Sequence, residues 1–245
     1  ASNPPTSVPA PQPAWTVRPD SYNRPPVFNS NNASAFIFAD SDAQGSGTNT
    51  DVTMISPTFS LANYSSANLS FYHYFRYYPG QTGLVDISTD GGLTWTNLLT
   101  YTGSNVGSAT SFSNATFNLA AYLGQTNLMI RFKFIATWGW YWAIDNINIS
   151  GTRQPQIVWN TQTAPVANGV AVPGLYTDLA GTTPYLAGTI ASSVYTMPAS
   201  SVTYVASTNI ASCSASGTTV ITATPVVGGT ANGTQTNCDA NSLSN

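Results

Sequence analysis

The chain has 245 residues, enough for one large β domain or two of medium size, each able to bury a core. Charged residues make up 6%, Glu is absent and Lys133 is the single lysine, so a helix-rich protein is excluded and Asn, Ser, Thr and Gln must keep the surface wet. A net charge of −3 with no basic run excludes a nucleic-acid partner, and no apolar run approaches the roughly 20 residues that membrane insertion as a helix requires.

Residues 1–14 hold five prolines and no periodicity, and read as an extended linker at a processed or truncated end. Trp15 to Val17 is a first short strand. The run SAFIFA, Ser34 to Ala39, is continuously apolar and short, as a strand covered on both faces should be. It leads into Asp40-Ser41-Asp42 and the glycine-containing loop that ends at Asp51. Val52 to Leu61 continues as a strand bent at Pro57. Leu69 to Tyr77 alternates most clearly: Leu69, Phe71, His73 and Phe75 share one face, and Ser70, Tyr72, Tyr74 and Arg76 the other.

Two strands, Leu84 to Thr89 and Thr94 to Leu99, flank Asp90-Gly91-Gly92, a hairpin signal because glycine accepts positive φ. Ser88 to Trp95 also fits the Asp-box pattern S-x-D-x-G-x-T-W, in which the carboxylate holds turn amides and the Trp packs over the hairpin. The box occurs once, without a propeller repeat, and reads as a folding device. Phe112 to Leu119, Leu128 to Ile135 and Ala143 to Ile149 complete the first domain, the last preceded by the Trp138–Trp142 cluster.

After Gly151 the composition shifts to Thr, Ala, Val and Ser. The short apolar segments of 152–228 read as a smaller Ig-like sandwich, and 229–245 as a polar tail. The fold class expected is all-β throughout. Cys213 and Cys238 lie in one polar segment without a nearby His; a disulfide between them and a pair of unlinked thiols are both compatible with that placement. The low charge and polar uncharged surface point to an extracellular or cell-surface setting.

The blocks AFIFADSD, DVTMISPTFSL, LSFYHYF, VDISTDGGLTWTNL, FNLAAYLGQTNLMIRFKF and WAIDNINI, in this order and spacing over 15–151, resemble the cleaved-adhesin and MAM-like jelly rolls of bacterial surface proteins. The later stretch GLYTDLAGTTPYLAGTIASSVYTMPASSVTYVAST resembles Ig-like modules of long secreted adhesins. The resemblance implies a jelly-roll sandwich, a non-catalytic adhesive role, and export through the type IX secretion translocon as a passing partner. It also implies a structural calcium at positions matching Asp40 and Asp145.

The residues give calcium an independent motive. A bare buried carboxylate costs several kcal/mol, and calcium accepts six to eight oxygens from irregular loops. Asp145, read on the face of Ile147 and Ile149, would meet Asp40, Asp42 and Asp51 around the ion. The alternative is that these carboxylates accept backbone N–H bonds and hold loops. The aromatic residues Trp138, Trp140, Tyr141, Tyr72 and Tyr74 are the candidate surface for a glycan or protein ligand, with Trp138 and Trp140 the most exposed; Tyr77 and Tyr78 extend that set. His73, the one histidine, sits among apolar residues, and no G-x-S-x-G elbow, zinc set or Glu pair is present, so an enzyme is not expected. The rival roles are a structural spacer in a long adhesin and an accessory domain of a secreted protease or glycosidase.

Overall fold

Eight strands of the first unit pair as one long folded ribbon. In the computed structural model, which describes residues 14–208 and 218–223, the strands are β1 (Thr16–Arg18), β2 (Tyr22–Asn23), β3 (Val27–Phe28), β4 (Phe36–Asp40), β5 (Asn49–Ile55), β6 (Tyr64–Phe75), β7 (Thr82–Ser88), β8 (Thr96–Tyr101), β9 (Ser113–Asn118), β10 (Met129–Thr137) and β11 (Tyr141–Arg153). The innermost pair is β7 with β8; outward from it β6 pairs with β9, β5 with β10 and β4 with β11, all antiparallel. Folding that ribbon over itself produces a five-stranded sheet, β1-β4-β11-β6-β9, and a four-stranded sheet, β5-β10-β7-β8. This nesting is a jelly roll, and it leaves an all-β sandwich.

The inner faces supply the main core. Leu69, Phe71, Phe75, Trp142 and Ile144 come from one sheet, and Val52, Val85, Ile130, Phe132 and Phe134 from the other. The alternation in LSFYHYF places Leu69, Phe71, His73 and Phe75 inward, as its period of two requires. Trp142, wholly buried, needs the space that Gly83 leaves: a Cβ there would lie 2.8 Å from the indole.

The five-stranded sheet is covered on its outer face as well. The β2–β3 hairpin and the segment around Phe112 lay Phe28, Ala109 and Phe112 over Phe36, Phe38, Tyr74, Tyr141 and Ala143. This second core explains why β4 from Phe36 to Ala39 and the start of β11 are apolar at every position. Residues 20–28 carry no periodic pattern, and the hairpin they form was not expected from the sequence.

The chain divides into two compact units after Gln154. The second unit contains β12 (Ile157–Thr161), β13 (Ala171–Tyr176), β14 (Pro184–Leu186), β15 (Tyr195–Thr196), β16 (Val202–Thr208) and β17 (Thr218–Ala223). They form two three-stranded sheets, β12-β16-β17 and β14-β13-β15, around Trp159, Val172, Leu175, Tyr185 and Tyr204. Its buried polar ends are satisfied: Trp159 Nε1 donates to the Ala191 carbonyl at 2.9 Å, and the Tyr204 hydroxyl donates to the Pro173 carbonyl at 2.7 Å. The cysteine pair Cys213–Cys238 and the tail 229–245 lie outside the described residues.

Candidate functional site

The turn joining β10 to β11 is short and held from a distance. Ser41 and Gln81, both wholly buried, brace it. Gly139 N donates to Ser41 Oγ at 3.1 Å, Trp140 N donates to Gln81 Oε1 at 2.7 Å, and Trp138 N donates to the Thr48 carbonyl at 3.1 Å. The Trp140 carbonyl accepts from Ser41 N at 2.9 Å. Gly139 cannot carry a side chain, because a Cβ would fall 2.3 Å from Gln81 Oε1. Between these anchors Trp138 adopts a left-handed backbone, φ +48°, which a bulky residue reaches only at a cost of about 1–3 kcal/mol. Its side chain is 42% exposed and stands beside Tyr78, 40% exposed, with ring centroids 6.4 Å apart.

A second pair lies next to the first. The Arg76 guanidinium stacks on half-buried Trp140 at 3.6 Å from the ring centre, and its Nη1 donates to the Tyr141 hydroxyl at 3.0 Å. Gln81 Nε2 donates to the Arg76 carbonyl at 2.8 Å, so one buried amide ties both segments together. Residues 76 and 78 face 138 and 140, and the result is a two-rung rim of Arg76–Trp140 and Tyr78–Trp138. Arg76 and Tyr78 were not singled out by sequence reasoning as partners of the tryptophans; the signal available was their spacing of two in FRYY, at the end of an alternating strand.

The structure corrects the rest of the expected aromatic surface. Tyr141 and Tyr74 are buried in the second core, not presented to solvent, and Tyr72 packs partly buried against it. Burial first, and then Tyr141, pushes the Tyr74 hydroxyl up to about 12. The expectation assumed one wet face for this sheet, and the β2–β3 hairpin removes it.

The four aspartates do not gather. Asp40 and Asp42 both meet Arg24, Nε to Asp40 at 2.7 Å and Nη2 to Asp42 at 2.5 Å, and these carboxylates hold the guanidinium pKa far above its ordinary value. Asp51 pairs instead with Lys133 at 3.2 Å, on the other sheet. Asp145 lies four residues along β11 from the partner of Asp40, roughly 13 Å at about 3.3 Å per residue. A calcium shell built from all four does not fit, since Arg24 already occupies the place between two of them. Among the described residues no group of three or more His, Cys, Asp or Glu side chains comes together.

Asp145 also faces the other way from the sequence reading. A bulge between Asp145 and Asn148, with Asn146 at φ +51°, shifts the register, so Asp145 keeps the outer face of Tyr72 while Ile149 turns into the main core. The carboxylate accepts from Asn146 N at 2.7 Å and from Ser34 Oγ at 3.4 Å. The Asn146 side-chain nitrogen donates to both carboxylate oxygens at 2.8 and 2.9 Å, and its amide oxygen accepts from the Asn32 amide nitrogen at 3.0 Å.

Two further motifs resolve as internal supports. His73 is buried, and its Nδ1 accepts from Trp142 Nε1 at 3.2 Å; burial lowers its pKa from 6.5 to about 4. At the Asp box, Asp90 accepts from Ser88 Oγ at 2.6 Å, Thr94 N at 2.9 Å and Leu93 N at 3.0 Å, which holds its pKa far below the usual carboxylate range. Trp95 Nε1 donates to the Gly92 carbonyl at 3.1 Å, and Arg131 lies over its ring at 4.5 Å.

Fold and site together define a jelly-roll sandwich with a braced aromatic rim at one end. No protein-family profile and no curated protein matches the chain. Among solved structures it is similar to the K1 cleaved adhesin domain of Lys-gingipain from Porphyromonas gingivalis W83, at 17% identity and TM-score 0.43, over 57% of this chain and 84% of that one. The K3 cleaved adhesin domain of the same protein is similar at 17% identity and TM-score 0.39, over 58% and 92%. A complex of TmCBM61 with β-1,4-galactotriose is similar at 14% identity and TM-score 0.35, over 56% and 88%. Two of these three are cleaved adhesin domains, the class that the sequence blocks resemble. Likeness at this level carries no argument about ligand or activity, which rests on the residues themselves.

Proposed function

We propose that this chain is a non-catalytic binding module of a secreted, surface-displayed bacterial protein, and that it takes a carbohydrate ligand on the rim of Trp138, Tyr78 and Trp140. The observation that carries the reading is Trp138. A large apolar ring is held outward in a costly backbone conformation by hydrogen bonds to buried Ser41 and Gln81. An exposed ring maintained against strain is a feature of ligand-presenting sites, and flat Trp and Tyr faces suit the apolar face of a sugar ring. The one histidine is occupied in the core, where its Nδ1 accepts from Trp142 Nε1. Passage through the type IX translocon and surface display belong to this reading through the motif blocks alone.

A glycan array probed with the chain and with Trp138→Ala tests the proposal. Binding that disappears in the variant supports it; no glycan bound by either favours a spacer role. Of the four aspartates expected to hold calcium, this proposal retains Asp145 only, in a structural role. Melting with and without chelator decides that point: a lower melting temperature in chelator supports the ion, and an unchanged one removes it.

A further inference from the structure

We propose that Arg76 makes this rim selective for acidic oligosaccharides, with the guanidinium taking the carboxylate of a uronic acid while a neighbouring sugar ring lies over Trp138 and Tyr78. The inference rests on the rim being a glycan site, as argued above, and adds the chemical class of the glycan.

Three of the cations are neutralised at close range: Arg24 by Asp40 and Asp42, Arg131 by Asp86, and Lys133 by Asp51. Arg76 has no carboxylate partner among the described residues. It differs from the other unpaired arginines, Arg18 and Arg153, in how it is held. Arg18 lies 4.8 Å over Tyr22, and Arg153 meets Tyr64 at the far end of β11. Arg76 is fixed from several sides: its face is on Trp140 at 3.6 Å, Nη1 is on the Tyr141 hydroxyl, its N–H is on the Tyr141 carbonyl at 3.1 Å, and its own carbonyl is on Gln81. A guanidinium carries five N–H donors in a rigid fork, and the Tyr141 contact engages one nitrogen. The remaining edge is a preorganised carboxylate receptor, because planar bidentate pairing with a carboxylate is the geometry for which the fork is shaped.

The second part of the argument is adjacency. Arg76 and Tyr78 are two residues apart on one segment, as are Trp138 and Trp140 on the facing one. The two rungs are therefore neighbours, joined through the Gln81 side chain that bonds to both segments. An oligosaccharide laid across neighbouring rungs can cover the aromatic pair with one ring while the carboxylate of the next reaches the guanidinium.

The wider field neither helps nor prevents this. The net charge is −3, and the surplus charge over Arg24 comes from Asp40, on β4 across Tyr141 from Arg76, and Asp42, whose N–H meets the Trp140 carbonyl at 3.4 Å. Two strand spacings put the Asp40 backbone roughly 10 Å from that of Arg76, about one Debye length at moderate salt, and Arg24 offsets part of both carboxylates. Long-range steering of a polyanion is therefore weak, and selectivity comes from the contact itself.

Calorimetric titration of the full chain with oligogalacturonate and with its fully methyl-esterified counterpart tests the inference. The esters keep the sugar rings and remove the charge. The wild type is expected to bind the acid about tenfold or more tightly than the ester, in line with a hydrogen-bonded charged group. Arg76→Gln should abolish that preference by lowering affinity for the acid more than affinity for the ester, and Arg76→Lys, which keeps the charge and loses the fork, should restore only part of it. Melting curves confirm that each variant is folded; should Arg76→Gln fail to fold, the Arg76→Lys comparison carries the test alone. Equal binding of acid and ester by the wild type, or equal weakening of both in Arg76→Gln, overturns the acidic preference and leaves the rim as a neutral-sugar site. Absence of binding to either probe overturns the preference too, and the glycan array with Trp138→Ala then separately decides whether the rim binds glycans at all.

Discussion

The molecule has two tight turns built round a tryptophan, and they use it in opposite ways. At the Asp90 turn the hydrogen bonds close locally: Ser88, Asp90, Leu93 and Thr94 satisfy one another, and Trp95 is fastened to Gly92 beneath Arg131. At the Trp138 turn the bonds come from Ser41, Thr48 and Gln81, far away in sequence, and the ring is left uncovered. A turn that satisfies itself holds a fold together and has nothing left to offer. A turn held open by buried groups elsewhere in the fold presents a side chain that the fold does not need.

Both turns stand on one core, and the largest effect expected concerns that shared background. His73 has its pKa lowered by burial from 6.5 to about 4. Between those values the unfolded chain takes up a proton that the folded one refuses. Stability is therefore full above about pH 6.5, declines as the pH falls towards about 4, and levels off below. The loss attributable to His73 is about 3 kcal/mol. Urea unfolding at pH 7.5 and 4.5, with His73→Gln as the variant that flattens this part of the profile, checks it.

The next effect breaks the brace itself. Gly139→Ala puts a methyl group against a fixed Gln81 and should cost about 1–3 kcal/mol by overpacking, with loss of ligand binding as the tryptophan moves. Ser88→Ala is the counterpart at the self-contained turn. It leaves the Gly92 N–H without the acceptor it has at 2.8 Å and should cost about 1–2 kcal/mol in urea unfolding, without altering affinity for any glycan. If Ser88→Ala impaired binding as strongly as Gly139→Ala, the two turns would not differ in the way described.

Much of the jelly roll was legible because its strands alternate or are uniformly apolar. LSFYHYF announces a strand with one dry face, and SAFIFA a strand with two. What stayed hidden has a common cause in features that lack period. Residues 20–28, including Arg24, show no pattern, yet they form the hairpin that seals the outer face and neutralises Asp40 and Asp42. Covering that face is what buries Tyr74 and Tyr141, which strict alternation places in water. One left-handed residue, Asn146, reverses which side of the sheet follows Asp145, and no composition rule marks it, although Asn is among the residues that tolerate that conformation. Trp138 and Trp140 could be singled out as candidates, whereas Ser41 and Gln81 could not, because a buried hydroxyl and a buried amide look in sequence like any others in so polar a chain.

The most direct test of the difference between the turns is Trp138→Gly, assayed for both stability and glycan binding. Glycine relieves the left-handed strain while adding backbone entropy to the unfolded state, so unfolding free energy should stay within about 1 kcal/mol of wild type. Affinity for glycans bound by the wild type should fall about tenfold or more, as for an exposed aromatic anchor. A variant that loses more than about 2 kcal/mol of stability while binding unchanged would make Trp138 a packing residue, and its turn a folding device like the one at Asp90.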